Sequence, residues 1–308
     1  MRYPVKDGLM GNITGYIYAL NNINLDIYEN EILGLAGESG SGKSTLGNCI
    51  LKLIKPSSGE ILFKGSDILK KNKKELKSFR RLAQPVFQNP YMSLNPRMKI
   101  YDILKEPLIV HGIKEGLDEK IRKSISLVQL GEDALKRYPH EFSGGQRQRI
   151  AIARAVILNP EFIAADEPVS ALDVSIQAQI ANLLIDLKQE LNLSMLFISH
   201  NLSILKYLSD RIAVVYLGEI IETAPKNEFF EHYKHPYSQA LLDAAPSIQH
   251  KNADKKIVLK GDIPSPKNPP SGCKFHTRCP YAMKRCSEEA PELKEISQEH
   301  FARCFLCG

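Results

Sequence analysis

Three short stretches of the chain carry residue types and spacings that could do chemistry. Residues 37–45 read Gly-Glu-Ser-Gly-Ser-Gly-Lys-Ser-Thr, which fits the phosphate-binding loop pattern G-x4-G-K-[ST]. Gly37, Gly40 and Gly42 let backbone N–H groups turn inward around phosphate oxygens, with Ser39 between them. Lys43 supplies a point charge to the terminal phosphates, and Ser44, next to Thr45, offers a hydroxyl to Mg2+. A helix opening at Lys43 presents its positive end to the anion. Asp166 and Glu167 follow the apolar run 162–165. The first carboxylate could reach a metal and the second could take a proton from an attacking water. Ser143, Gly144, Gly145 and Gln146 precede a second helix and make a second anion site by the same helix-terminus logic. Alone, that feature would be an ordinary helix cap.

The cysteines are unevenly placed. Of six, only Cys49 lies before residue 273, and Cys273, Cys279, Cys286, Cys304 and Cys307 crowd the end. Without an export signal such a cluster suggests metal rather than disulfides. Cys273, Cys279, Cys286 and Cys304 offer four soft thiolates, suited to an iron–sulfur cluster or to zinc. Cys307 is a spare that could replace Cys304, His276 and His300 are candidate zinc ligands or packing residues, and free thiols are the remaining alternative.

The elements around these stretches alternate. Residues 31–36, 162–165 and 194–199 read as buried strands. Residues 43–53 and 145–158 read as helices, and 175–192 places Ile176, Ile180, Leu183, Leu184, Leu187 and Leu191 on one helical face. This pattern predicts an α/β domain on a largely parallel sheet, covering residues 1–245. Helices are expected as an insertion at about 90–160, with Leu104, Leu108, Ile121, Ile125, Val128 and Leu130 as apolar positions. Prolines thicken after Ala245, so a boundary is placed near 246–250 with a Cys-rich extension over 246–308.

Composition is that of a globular protein: 308 residues, 43% hydrophobic and 25% charged, with net charge +6. The lysines at 70, 71, 73, 74 and 77 read as a solvated face. No apolar run approaches the ~20 residues of a membrane helix, and the first residues lack a signal-peptide core. A membrane role must therefore come through partners.

The order of the phosphate loop, Gln88, residues 143–146, Asp166 with Glu167, residues 170–173 and His200 resembles the ABC ATPase superfamily. In that family two subunits meet head to tail, each ATP lying between one phosphate loop and the other subunit's Ser-Gly-Gly-Gln signature. The resemblance implies that Gln88 senses Mg2+ and the water and couples to membrane subunits. It implies that Ser143 and Gly145 bind the partner's ATP, Asp166 supports Mg2+, Glu167 polarises the water, Asp173 communicates across the interface and His200 holds the γ-phosphate. Tyr3 matches the adenine-stacking position, with Tyr16 and Tyr18 as rivals.

Phe87-Gln88-Asn89-Pro90-Tyr91, residues 93–97, residues 169–179 and His235-Pro236-Tyr237 resemble the second-type ATPase subunits of the peptide and nickel importers. That resemblance implies dipeptide or oligopeptide import, with a nickel importer or a soluble non-transport ABC ATPase as alternatives. It implies a 4Fe-4S cluster in the tail, a heterodimer with a paralogous ATPase, two transmembrane permeases, an extracytoplasmic solute-binding protein acting through the complex, and a place at the cytoplasmic face of the membrane. Nucleic acid is not among the expected partners.

Overall fold

The computed structural model describes residues 1–7, 12–245, 259 and 261–307. The expected boundary at 246–250 lies outside the described residues. Among the described residues the strands are β1 (Arg2–Asp7), β2 (Asn12–Tyr18), β3 (Ile32–Ala36), β4 (Leu62–Phe63), β5 (Ser66–Asp67), β6 (Ala83–Val86), β7 (Phe162–Asp166), β8 (Ser194–Ile198), β9 (Arg211–Tyr216), β10 (Glu219–Pro225), β11 (Lys294–Ser297) and β12 (His300–Ala302). The helices are α1 (Lys43–Ile50), α2 (Lys73–Leu82), α3 (Pro90–Ser93), α4 (Ile100–Val110), α5 (Leu117–Leu127), α6 (Gly144–Val156), α7 (Val174–Leu191), α8 (Leu202–Leu208), α9 (Lys226–His232), α10 (Pro236–Asp243) and α11 (Lys284–Glu288).

Eight strands form the main sheet in the order β11-β12-β10-β9-β3-β8-β7-β6. The segment β9-β3-β8-β7-β6 is parallel, and β10, β12 and β11 continue it antiparallel. Parallel strands covered on both faces must be apolar throughout, and β3 is buried at all five positions. Side chains alternate between two cores, as the two-residue period requires. Ile32, Ile163, Met195, Phe197 and Val214 face one core, which includes α4, α6 and α7 residues. Leu33, Leu35, Ala164, Leu196 and Val215 face the other, which is closed by Leu46 and Phe79.

Within the stretch at about 90–160 where inserted helices are expected lie α3, α4, α5 and α6. Leu104, Leu108, Ile121, Ile125 and Val128 are all fully buried there. On α2 the capping box of Asn72 and Glu75 fixes the start. Phe79 turns into the core, whereas Lys73, Lys74 and Lys77 stay in solvent. Residues 294–302 do not stand apart from the main sheet. β12 pairs with β10 and extends its sheet.

Candidate active site

β3 is hydrogen-bonded between β8 and β9, so the loop at its carboxyl end leaves a rigid, buried platform. Gly37 and Gly42 have φ of 149° and 107°. A Cβ at Gly37 would stand 2.3 Å from the Val215 carbonyl, and one at Gly42 2.4 Å from that of Ala19. Both positions therefore require glycine. Lys43 folds back under the loop, and its Nζ donates to the carbonyls of Gly37 at 2.8 Å and Glu38 at 2.9 Å. Burial lowers its pKa, opposed by the carboxylates of Glu167, Asp166 and Glu38. Ser39 and Gly40 lie exposed at the tip.

β6, β7 and β8 deliver the remaining groups at the same end of the sheet, where parallel α/β sheets gather ligands. Ser44 Oγ donates to Asp166 Oδ1 at 3.1 Å. Burial raises the Asp166 pKa, the Ser44 hydrogen bond lowers it, Glu167 raises it and Lys43 lowers it. Glu167 adopts φ of 44°, a left-handed conformation costly for a non-glycine residue and concentrated at functional sites. Its N–H donates to the Ile198 carbonyl at 3.0 Å, and its own carbonyl accepts from Ser170 Oγ at 3.1 Å. Gln88 Nε2 donates to Glu167 Oε2 at 3.1 Å, and His200 Nδ1 lies 3.2 Å from Oε1. Gln88, Glu167 and His200 thus meet at one carboxylate beside the Ser44–Asp166 pair. An arrangement of this kind can orient a water and receive its proton.

The second anion motif sits elsewhere. Ser143 caps α6, its Oγ accepting from the Gln146 N–H at 3.3 Å while Gln146 Oε1 accepts from the Ser143 N–H at 3.0 Å. A Cβ at Gly145 would meet Ile176 Cγ2 at 2.5 Å, and one at Gly144 would lie 3.3 Å from Leu172. The motif is thereby packed on the turn that carries Asp173. Ser143, Gln146 and Asp173 are exposed, and neighbouring Val174 is 82% exposed.

Tyr3 lies half-buried on β1, opposite Ile17 of β2. The Arg2 guanidinium sits 4.6 Å over the ring of Tyr16, and the Tyr18 N–H donates to the Pro266 carbonyl at 3.0 Å.

Residues 20–170 match the family described as ABC transporter, and residues 221–286 match the oligopeptide/dipeptide transporter C-terminal region. The oligopeptide transport ATP-binding protein AppF of Bacillus subtilis is 49% identical over 309 residues, covering 99% of this chain and 94% of that protein. The chain belongs to the ATP-binding subunits of the oligopeptide/dipeptide ABC transporters. The di/tripeptide transport ATP-binding protein DppF of Pseudomonas aeruginosa is 44% identical, covering 99% of this chain and 96% of that protein. Among solved structures, the ATP-binding cassette MJ0796, dimeric in a post-hydrolysis state bound to ADP and Pi, superposes with a TM-score of 0.64 at 31% identity. It covers 73% of this chain and 96% of its own.

In this ABC subunit the cysteines of the tail converge. Burial first, and then the neighbouring Cys304 and Cys286, raise the Cys273 pKa, against the N–H groups of Phe275 and His276. Burial pushes Cys279 up to about 11, against the Tyr281 N–H and with Cys304, Cys273 and Cys286 adding to the rise. Cys286 Sγ accepts from the Met283 N–H, and Cys304 Sγ from the Leu306 N–H, both at 3.5 Å. Each of the four sulfurs is therefore met by backbone donors. Among the described residues, however, no three His, Cys, Asp or Glu side chains form a group that could hold a metal ion. Cys304 and Cys307 hydrogen-bond each other, which raises the first and lowers the second. His276 Nδ1 lies 2.8 Å from the Cys273 carbonyl, and buried His300 sits between Glu222 at 2.8 Å and Glu228 at 3.4 Å. Both histidines therefore have packing roles.

Sequence reasoning missed Glu38 and Arg278. Glu38 occupies a variable position of the loop pattern, and Arg278 stands 240 positions away with two hydrogen bonds to its carboxylate. Tyr237 was singled out only within a family motif, yet its hydroxyl accepts from the Glu38 N–H at 2.9 Å.

Proposed function

We propose that this ABC ATPase is the motor of an importer for dipeptides or oligopeptides. The observation that carries the reading is the meeting of Gln88, Glu167 and His200 beside Lys43, Ser44 and Asp166. Residues 1–245 are the ATPase domain, with its helical part at about 90–160, and 246–308 are the extension. Tyr3 stacks on adenine. The N–H groups of Gly37, Ser39, Gly40, Gly42 and Thr45, together with Lys43, hold the phosphates. Ser44, Gln88 and Asp166, all oxygen donors, suit Mg2+, which when bound neutralises charge on the phosphates. Glu167 takes a proton from the attacking water as the water oxygen bonds to the γ-phosphorus and the bond from that phosphorus to the β,γ-bridging oxygen breaks, with ADP as the leaving group, and His200 holds the γ-phosphate in line. The partner ATPase contributes its own Ser-Gly-Gly-Gln motif, while Ser143, Gly144, Gly145, Gln146 and Asp173 of this chain serve the partner's ATP.

Among the described residues no helix is long and apolar enough to cross a membrane. In this reading the motor works at the cytoplasmic face through two permease subunits, with a solute-binding protein outside. A groove of about 350 Å³ next to Gln88 supports permease docking, lined by Phe87, Glu106, Val110, His111, Arg154 and Leu158. The test is purification of the complex from membranes and its reconstitution in vesicles with the solute-binding protein. ATP-dependent uptake of a labelled dipeptide is expected. Uptake of labelled nickel alone would replace the cargo, and full ATPase activity with no membrane partner recovered would sink the transporter reading.

For the tail, Cys273, Cys279, Cys286 and Cys304 would hold a 4Fe-4S cluster, which when bound cross-links the lobe. A cubane spaces its thiolates wider than a single zinc ion does. What supports a shared ligand is that Cys279 lies within electrostatic range of Cys304, Cys273 and Cys286. Backbone N–H donors to each sulfur are the environment such clusters use. Anaerobically purified protein is expected to be brown, with about four irons per chain, and Cys279→Ser to be colourless. Colourless wild-type protein carrying one zinc would replace the cluster.

A further inference from the structure

The Glu38 side chain, inside the phosphate loop, is held by the far end of the chain. Arg278 grips it with two parallel hydrogen bonds, NH1 to Oε2 at 2.7 Å and NH2 to Oε1 at 3.1 Å. The guanidinium side is 6% exposed and the carboxylate side 26%. A planar fork on a carboxylate fixes orientation as well as charge. The rest of Glu38 is also engaged. Its N–H donates to the Tyr237 hydroxyl, and its carbonyl accepts from Lys43 Nζ. The lysine expected to meet the phosphates is thus linked to Arg278 through a single residue.

Arg278 is well fixed itself. It lies on a turn bracketed by Cys273 and Cys279, with the Arg278 N–H donating to the Phe275 carbonyl at 3.0 Å. Phe275 is fully buried, with ring centroids 5.3 Å from Tyr216 and 5.4 Å from Tyr237. The Tyr216 ring lies under the Arg278 guanidinium at 6.0 Å. The same aromatic cluster therefore anchors both partners of Glu38, Tyr237 on the motor side and Arg278 on the tail.

We infer that Arg278 is a positioning residue of the ATPase, clamping Glu38 so that the Cys-rich tail shapes the phosphate loop and neutralises a carboxylate that would oppose ATP. Like charges in a half-buried site repel strongly. The Glu38 carbonyl accepts from Lys43 Nζ at 2.9 Å, so the residue is fixed beside that ammonium. Freed from Arg278, the Glu38 carboxylate competes with the phosphates for the same ammonium and stands among their charges. The inference rests on the reading that ATP phosphates occupy this loop.

The test is a double-mutant cycle in the full chain within the purified transporter, read as ATP binding by calorimetry and as KM against kcat. Arg278→Gln is expected to weaken ATP binding and raise KM by about thirtyfold or more, the lower end for truncating one side of a buried charge pair. kcat at saturating ATP should stay within about twofold, since no reacting atom loses a contact. Glu38→Gln should cost less, because it removes the repelling charge together with the tie. The double variant should match Glu38→Gln rather than multiply the two losses. Arg278→Lys keeps the charge without the fork and should fall between, about threefold down. Unchanged affinity in Arg278→Gln, or simply multiplied losses, would overturn the clamp. If Arg278→Gln does not fold, Arg278→Lys decides, and unchanged affinity there overturns it. A wild-type complex that binds ATP without hydrolysing it would sink the motor reading, and the binding cycle would still decide the clamp.

Discussion

Glu167→Gln is expected to leave ATP bound while lowering steady-state hydrolysis by a factor of at least ~100, within the usual span for a positioned base. The amide is nearly isosteric and can still accept from Gln88 Nε2, which lies 3.1 Å from Oε2. What it cannot do is keep the proton of the attacking water. The phosphate contacts, made by the loop and Lys43, are untouched, so binding should survive. Backbone strain sharpens the expectation. With φ at 44°, Glu167 is held by its N–H bond to Ile198 and by Ser170, and the side chain points where this geometry sends it. Hydrolysis by the assembled transporter within a few-fold of wild type would remove Glu167 from its proposed role.

Ser143→Arg should have an effect as large by a different route. The chain's own loop is untouched, because Ser143 caps α6 and the adjoining Gly144 and Gly145 pack on the Leu172–Ile176 turn. Losing the cap costs α6 about 1 kcal/mol, tolerable in a helix with nine buried residues. The larger effect is at the exposed surface, where a long cation replaces a small hydroxyl beside Asp173 and Val174. ATP-driven pairing of the two ATPase subunits should be lost, and cooperative hydrolysis with it, while one ATP per isolated chain still binds. Light scattering with and without ATP measures the pairing. Unimpaired pairing would mean that residues 143–146 are only a helix cap.

How much of this could be read in the sequence varies with the reach of the contacts involved. β3, β7 and β8 were legible because strands buried on both faces are apolar without interruption. α7 was legible because Ile180, Leu183, Leu184 and Leu187 keep helical spacing into the core. The loop at 37–45 was legible because its chemistry is local. The convergence of Gln88, Glu167 and His200 came from motif order alone, since their distances are set by sheet pairing that no short window contains. The β1–β2 hairpin and the antiparallel edge β10-β12-β11 went unread. β11 is exposed or half-exposed at all four positions, and β12 has three residues, too few to establish a two-residue period in the sequence. Arg278 on Glu38 was invisible for the same reason: nothing near either residue announces a partner so distant. The tail's cysteine spacing suggested a shared ligand, but the N–H donors to the sulfurs depend on turns that sequence leaves open.

The pairing of β12 with β10 also bears on how the molecule is made. Glu222 of β10 is fully buried, and its carboxylate accepts from the N–H groups of Lys234 and His235 and lies 2.8 Å from His300 Nε2 on β12. Until residue 300 has left the ribosome, that acid lacks a partner it will have in the finished fold, and the outer edge of β10 offers unpaired backbone groups to any passing strand. Synthesis therefore imposes a waiting period on a motor whose phosphate loop was translated more than 250 residues earlier. A nascent chain stalled short of its last strands would present an open sheet edge to chaperones and proteases.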